Sequence, residues 1–182
     1  MNRREAVSTV AVILGGTVVG SNLLLTGCKQ KETKTSPTDF SAENMALLDE
    51  VAETIIPATS TPGAKAAKVG EYMKIMVTDC YDAQNQKIFA EGIDALKAKD
   101  FMSLDAAKKK ELLITLDKEQ KEYTAKKKPE DPAHYFKLMK DLTVQGFFTS
   151  EVGATQALRY VPIPGKYDGC MPYKKGDKAW AT

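Results

Sequence analysis

Apolar residues recur at three- and four-residue steps through most of residues 41–158, and this spacing predicts a series of helices. The first predicted helix begins after Ser41, a suitable N-cap, and ends before Pro57. The second is expected from about residue 64 to Cys80, so that Cys80 lies at a helix end and faces the core. The apolar stripes of these two helices are Met45, Leu48, Val51, Ala52 and Ile55, then Val69, Tyr72, Met73, Met76 and Cys80.

Four more helices are predicted by the same spacing. They cover about residues 82–99, 104–124 with Ser103 as the cap, 133–149, and a short segment from Ser150 to Leu158. Their apolar positions are Ile88, Phe89, Ile93 and Leu96, then Ala107, Leu112, Leu113 and Leu116, then Tyr135, Leu138, Met139, Leu142 and Phe147. Two prolines make 126–132 a loop. Because no segment alternates β-branched and polar residues, the chain is predicted to be all-α, a single small helical domain of about five to six helices.

The character of the chain changes after Tyr160. Residues 161–173 contain three prolines and two glycines, which excludes a helix and predicts an extended, proline-rich C-terminal tail lying on the helical body. The tail and its approach carry more aromatic residues than a small core needs, and exposed aromatic surface is typical of a partner interface. The predicted interface residues are Phe147, Phe148, Tyr160, Tyr167, Tyr173 and Trp180.

The N-terminus has the features of an exported lipoprotein. Two arginines, Arg3 and Arg4, precede a mildly apolar run over residues 6–26, and Leu25-Thr26-Gly27-Cys28 forms a lipoprotein cleavage box. We therefore expect a signal peptide at 1–27, lipid on Cys28, a flexible tether at 28–40 and the helical domain at 41–182. The expected location is the periplasmic side of a bacterial membrane, inner or outer.

Two alternatives to this interpretation stay open. The apolar run is long enough to be a transmembrane helix, although its glycine, serine and asparagine residues dilute its hydrophobicity. The arginine pair suggests the twin-arginine route, which exports folded proteins. The residues after the pair lack the usual large apolar residue and lysine, so an ordinary secretory signal remains the other possibility.

Charge and length limit the classes of function. The 182 residues include 26 basic and 24 acidic side chains, and the segment that remains after signal removal is long enough for one domain. Lysine runs at 108–110 and 126–128 are surrounded by acidic residues, which is typical of solvated helix faces and helix ends. This balance gives no electrostatic basis for binding nucleic acid.

Cysteine and histidine usage argues against a metal or haem site in this chain. With Cys28 committed to lipid, Cys80 and Cys170 remain as a pair, which outside the cytoplasm predicts a disulfide. The chain has one histidine and no Cys-x-x-Cys spacing. No catalytic, cofactor-binding or metal-ligating residue is predicted.

Two positions are candidates for a catalytic role. His134 precedes a predicted helix and has no evident nucleophile or acid partner, which favours a cap or surface role. Thr149-Ser150-Glu151 brings a hydroxyl and a carboxylate together, but Ser150 also suits an N-cap with Glu151 in the first turn. The hypothesis that the chain is a hydrolase using Ser150 or His134 is therefore the least favoured.

Four stretches of the chain resemble the small, or gamma, subunit of the flavin-dependent gluconate 2-dehydrogenase family, known as subunit 3. The most specific are Leu142-Thr-Val-Gln-Gly-Phe-Phe-Thr-Ser-Glu-Val-Gly153 and Pro164-Gly-Lys-Tyr-Asp-Gly-Cys170. The others are Leu48-Asp-Glu-Val-Ala-Glu-Thr-Ile-Ile-Pro-Ala-Thr-Ser-Thr-Pro-Gly-Ala64 and the segment from Val69 to Cys80. With the helical register between them, these stretches cover most of residues 41–173.

The resemblance implies an accessory role. In such complexes a large subunit of the glucose-methanol-choline type holds FAD and oxidises the sugar, and a cytochrome c often takes the electrons through haem. The small subunit carries the export signal and helps the large subunit fold and cross the membrane. A lipid anchor departs from the usual pattern of the family and favours a tethering role as well. The alternative from another class is a free-standing lipoprotein that binds a sugar or acts as a chaperone.

Overall fold

Helices account for nearly all the regular structure in the computed structural model, which describes residues 38–163, 165 and 168–181. The α-helices within these residues are α1 (Ala42–Ile55), α2 (Val69–Ile75), α3 (Ala83–Ala98), α4 (Ala106–Lys126) and α5 (Tyr135–Phe148). Two π-helical segments, Met76–Cys80 and Gly153–Ala157, and a 3₁₀ turn, Phe101–Ser103, adjoin them. Strands β1 (Arg159–Tyr160) and β2 (Trp180–Ala181) form a small parallel pair. The predicted all-α class is confirmed.

Helix α5 is the central element, since it contacts α1, α2, α3 and α4. Two glycines allow close contacts between α5 and its neighbours. A Cβ on Gly92 of α3 would lie 2.6 Å from the Tyr135 ring, and one on Gly146 of α5 would lie 2.6 Å from the Tyr72 ring. These contacts bring the aromatic rings directly against helix backbone and fix both ends of α5.

The core is a single cluster built from all five helices and the 3₁₀ turn. It centres on large side chains with essentially no exposure, and burying side chains of this kind is the main stabilising contribution to a domain of this size. The largest of them are Phe89, Phe101, Phe136, Leu47, Leu48, Met73, Ile93, Leu96, Leu116, Met139, Leu142 and Val51. Most were placed on the buried faces by their spacing in the sequence.

The start of α1 confirms the predicted cap. The hydroxyl of Ser41 accepts a hydrogen bond from the backbone N–H of Asn44. Ordered contacts begin before this point, within the predicted tether. The Thr38 hydroxyl donates to the Gln86 carbonyl at 3.0 Å and Phe40 packs against the core, so the folded domain includes the last residues of that segment.

Cys80 is exposed, so the prediction that it faces the core is wrong. The reason is the π-helical turn Met76–Cys80, in which each hydrogen bond spans one more residue than in an α-helix. The extra residue rotates the buried face. Val77 is completely buried, and Tyr81 packs against the core in place of Cys80, which a regular helix would have directed inward.

The predicted cap of α4 is also wrong by two residues. Ser103 lies in the 3₁₀ turn, and its hydroxyl donates to the Asp100 carbonyl. The cap is Asp105, whose carboxylate accepts the Lys108 N–H at 2.8 Å. Ala107 is exposed, while Lys109 occupies the buried position on this turn.

The C-terminal segment is only partly as expected. It contains the β1–β2 pair, which the sequence pattern did not predict, with Arg159 opposite Trp180 and Tyr160 opposite Ala181. The backbone N–H of Arg159 donates to the Ala179 carbonyl at 2.8 Å. The chain therefore returns to β1, next to the end of the last helical segment.

Candidate partner-binding surface

The end of α5 presents an apolar surface. Val144 and Phe148, four residues apart on one helix face, are 41% and 40% exposed. Phe147 is only 2% exposed and belongs to the core, where its ring meets that of Phe148 edge-on at 5.1 Å. Of the predicted Phe147–Phe148 pair, only Phe148 is thus available for direct contact with a partner.

A tight junction after α5 sets the direction of the following segment. The Ser150 hydroxyl donates to the Phe147 carbonyl at 2.6 Å and accepts the Gly153 N–H at 3.0 Å. A Cβ at Gly153 would lie 1.9 Å from the Phe147 carbonyl oxygen, so only glycine fits. Ser150 is therefore the N-cap of the short final helical segment, as predicted from the sequence. Its hydroxyl hydrogen-bonds to backbone groups of both the preceding and the following segment.

The described residues from Leu158 to Ala181 form what we call the C-terminal hook. The Arg159 guanidinium lies 4.6 Å from the centroid of the Trp180 ring, a cation–π contact that joins the two ends of the hook. The ammonium of Lys178 hydrogen-bonds the Gln156 carbonyl. Between them, a turn is closed by the Asp177 carboxylate, which accepts the Lys174 N–H at 2.9 Å.

The hook exposes its large apolar side chains. No described residue between 158 and 181 is buried, although the segment contains several aromatic and aliphatic residues. The exposed fractions are 50% for Tyr160, 82% for Ile163, 45% for Met171, 76% for Tyr173 and 48% for Trp180. Three of the predicted interface residues thus lie on one exposed segment. Tyr167 lies outside the described residues.

A concavity of about 340 Å³ opens on the hook. Its apolar lining comes from Met171, Pro172, Tyr173 and Trp180, and its charged lining from Arg159, Asp177 and Lys178. A volume of this size accommodates a few amino-acid side chains or one small molecule. The two cations against one carboxylate favour an occupant that carries negative charge.

The two cysteines of the folded domain are both exposed and are not bonded to each other in this structure. Cys80 ends the π-helical turn after α2, and Cys170 lies in the hook, where its N–H donates to the Asp168 carboxylate at 3.2 Å. Their pairing stays a prediction. Cys28, the predicted site of lipidation, lies outside the described residues.

His134 acts as a helix cap, the role that the sequence favoured over a catalytic one. Its Nδ1 accepts the Phe136 N–H at 3.2 Å and so caps α5, and its ring stacks on Tyr135 with centroids 4.5 Å apart. Burial lowers the pKa of His134 below its usual value, which favours the neutral imidazole. Because Nδ1 acts as the acceptor, this cap requires the tautomer protonated at Nε2.

Three acidic residues on α1 hold the connection to α2. The Glu53 carboxylate accepts the N–H groups of Ala58 at 2.9 Å and Lys65 at 2.8 Å, and so ties down the proline-containing loop. Asp49 accepts the Gly70 N–H at 3.2 Å. Burial, the largest influence, raises the pKa of Asp49.

Glu50 is the third of these acids. It receives the ammonium groups of Lys65 and of the nearly buried Lys109, the latter at 2.9 Å. Hydrogen bonds from these two lysines lower the pKa of Glu50. These carboxylates therefore organise helix contacts by accepting hydrogen bonds from backbone and lysine donors.

Within the described part of the chain, no group of three or more histidine, cysteine, aspartate and glutamate side chains is arranged to hold a metal ion. A search of the same residues finds no helix with the length and hydropathy needed to cross a membrane.

The sequence did not single out Arg159 or Lys178, although both are part of the concavity. Little in the sequence indicated their role, because isolated basic residues in an irregular tail form no periodic pattern. The aromatic residues beside them were the detectable part of this surface.

Comparison with known proteins identifies one family. The model of gluconate 2-dehydrogenase subunit 3 matches residues 42–165, which is more than half of the chain and includes every α-helix of the described part. No curated protein and no solved structure matches the chain.

Proposed function

Because the chain belongs to the gluconate 2-dehydrogenase subunit 3 family, we propose that it is the non-catalytic accessory subunit of a flavin-dependent gluconate or sugar dehydrogenase complex. The main support for this proposal is that the family itself is named as a subunit of gluconate 2-dehydrogenase. The partner is a large flavoprotein subunit of the glucose-methanol-choline type, which holds FAD and oxidises the substrate. A cytochrome c with haem is a further candidate partner as electron acceptor.

The hydrogen bonds of the two catalytic candidates, Ser150 and His134, support a non-catalytic role. The Ser150 hydroxyl and His134 Nδ1 are both committed to backbone groups at helix starts. A nucleophile or a general base needs its reactive atom directed towards a substrate. Both residues instead serve local structure, and the exposed aromatic residues of the hook supply surface for a partner.

Export and tethering are the second part of the proposal. The sequence of residues 1–28 suits a cleaved lipoprotein signal, and a flavoprotein that binds FAD in the cytoplasm needs a route that exports folded proteins. The accessory chain then carries the signal for both subunits and anchors the complex at the periplasmic side of the membrane through lipid on Cys28. The flavin belongs to the partner and not to this chain.

The proposal is tested by isolating the native lipidated protein from membranes in mild detergent with an antibody against the folded domain. An antibody avoids a tag at the C-terminus, which would disturb the hook. We expect a stoichiometric large subunit, identified by mass spectrometry, with the absorbance spectrum of a flavin and dye-linked oxidation of a sugar or sugar acid. Isolation of a colourless, monomeric chain would favour the free-standing lipoprotein instead.

Two substitutions test the proposed surface. Phe148→Asp and Trp180→Ala remove exposed apolar groups, and each is expected to weaken co-isolation of the flavoprotein at least about tenfold, a typical effect for an aromatic interface residue. Ile114→Asp is the matched control, since Ile114 on α4 is 47% exposed. Thermal unfolding of each variant separates loss of binding from loss of fold. Full retention of the flavoprotein by both variants would contradict an interface at this surface.

A further inference from the structure

The hook is a segment whose own contacts provide little stability. Its sheet consists of two parallel strands of two residues each, and pairs of strands this small are at best marginally stable in water. Its other contacts in the described residues include the Arg159–Trp180 pair, the Lys178–Gln156 hydrogen bond, the turn closed by Asp177 and the hydrogen bond from the Cys170 N–H to Asp168. Exposed polar contacts of this kind contribute little each. A bound partner segment would supply the burial that the hook lacks.

The charges of the hook indicate the chemistry of that segment. Its described residues carry four cations, Arg159, Lys174, Lys175 and Lys178, against two carboxylates, Asp168 and Asp177. Asp177 accepts a backbone N–H in the turn and is thereby partly neutralised as a partner for other cations. The surface around the concavity is therefore positive, in contrast to the near balance of charge in the whole chain.

Arg159 and Lys178 can bind carboxylates without giving up their present contacts. The cation–π contact of Arg159 uses the face of the Trp180 ring, and the N–H donors of a guanidinium lie in its own plane, where they suit a carboxylate. The ammonium of Lys178 has three donors, of which the Gln156 carbonyl takes one. The rings of Tyr173 and Trp180 provide the apolar surface next to these charges.

We propose that the C-terminal hook binds an acidic, partly apolar segment of the catalytic flavoprotein subunit. Arg159 and Lys178 pair with carboxylates of that segment, its apolar side chains enter the concavity against Tyr173 and Trp180, and Lys174 and Lys175 add long-range attraction. This inference rests on the proposed function and adds to it the chemistry of the docking site. The contact buries apolar side chains of the hook and thereby stabilises it.

The test measures the affinity of the processed chain for the flavoprotein subunit, with both subunits obtained by dissociating the isolated native complex, at low and high salt. In the wild type, raising NaCl from 50 to 300 mM is expected to raise Kd by about tenfold, because surface charge attraction is screened over this range. Lys174→Glu with Lys175→Glu should raise Kd at least about tenfold at low salt and remove most of the salt dependence. Lys178→Met, which preserves length but not charge, should raise Kd several-fold.

The matched control reverses two exposed lysines of α4, Lys110→Glu with Lys118→Glu, which makes the same change in net charge away from the hook. It should leave Kd and its salt dependence near the wild-type values. Trypsin provides a second readout, because the exposed Lys174–Lys175 bond should be cleaved in the free chain and protected in the complex. Protection supports the hook as the docking element, and equal cleavage in both states contradicts it.

The remaining outcomes are distinguishable. If the wild-type chain binds the flavoprotein and the charge-reversed hook variants bind equally well, the inference is wrong while the proposed function stands. If these variants instead lose binding to vesicles that contain phosphatidylglycerol, with unchanged affinity for the flavoprotein, the hook is a membrane contact and the inference is wrong. If no flavoprotein binds the wild-type chain, the proposed function and the inference both fail.

Discussion

Glu53 explains why glycine occupies position 63. The Glu53 carboxylate bridges the N–H groups of Ala58 and Lys65, and a Cβ at Gly63 would lie 2.3 Å from one of its oxygens and 2.6 Å from the Ala58 nitrogen. Hydrogen bonds that involve a charged acceptor are stronger than neutral ones. The Glu53 carboxylate therefore helps to hold the loop after Ile55-Ile56-Pro57, and it needs the space that a glycine at position 63 leaves for it.

We predict that Gly63→Ala lowers the free energy of unfolding by about 2 kcal/mol, since the new methyl group displaces the carboxylate and breaks at least one charge-assisted hydrogen bond. Urea denaturation followed by circular dichroism measures the change. Glu53→Ala should cost a similar amount. The double variant should lose clearly less than the sum, because both changes disrupt the same contacts.

Glu122→Ala on the exposed face of α4 is the control for this series and should change stability by less than about 0.5 kcal/mol. Additive losses in the double variant would show that Gly63 and Glu53 act independently, and would contradict this account of the loop.

At the scale of helices, Asp117 joins α4 to α5. Its carboxylate receives the ammonium of Lys121 at 2.8 Å on its own helix and that of Lys140 on α5 at 2.6 Å. These hydrogen bonds, from Lys121 and then Lys140, lower the pKa of Asp117 to about 2. The ionised carboxylate is therefore favoured in the folded chain relative to the unfolded one.

The lowered pKa makes this contact sensitive to acid. The folded pKa lies below the unfolded value, so the stabilisation is fully present above about pH 5 and is lost as the pH falls towards 2. Because the site is partly open to solvent, we expect it to contribute about 1 kcal/mol at pH 7. Asp117→Asn should lower the free energy of unfolding by that amount at pH 7 and by much less at pH 2.5.

Denaturation curves of wild type and Asp117→Asn at several pH values between 2.5 and 7 provide the measurement. Glu122→Gln, also on α4, is the matched neutralisation and should show no pH-dependent difference of this size. A difference for Asp117→Asn that is constant across the range would mean that its charge is not what stabilises the α4–α5 contact.

The helices whose apolar spacing is regular could be predicted from the sequence, and α1 and its cap Ser41 are the clearest case. The π-helical turn after α2 could not, since its insertion of one residue depends on how Val77 and Tyr81 fit the core. Lys109 was missed for a similar reason. Its buried position depends on Glu50, a residue distant in sequence that supplies the compensating charge.

At the scale of the whole molecule, the sequence located the candidate surface better than it described its shape. Aromatic residues near the C-terminus pointed to a partner, and Tyr160, Tyr173 and Trp180 are indeed exposed together on the hook. The burial of Phe147 and the return of the chain to form β1 and β2 depend on tertiary contacts. Two-residue strands leave no periodic signal from which they could be predicted.

In the proposed complex, the lipid on Cys28 and the C-terminal hook have different tasks at the two ends of the chain. If lipid on Cys28 tethers the complex and the hook binds the flavoprotein, removing the anchor should release both subunits together. We predict that Cys28→Ser shifts this chain and the sugar dehydrogenase activity from the membrane to the soluble periplasmic fraction. The release requires cleavage of the signal peptide by another peptidase, so the size of the soluble chain on the immunoblot must be that of the processed form.

Fractionation, immunoblotting and dye-linked activity assays measure this distribution. Lys29→Ser changes the neighbouring residue without removing the thiol and should leave both subunits on the membrane. Activity that stays on the membrane while this chain becomes soluble would place the anchor of the complex in another subunit. Combining Cys28→Ser with Trp180→Ala should separate the two subunits from each other as well as from the membrane, because each change removes one of two independent attachments.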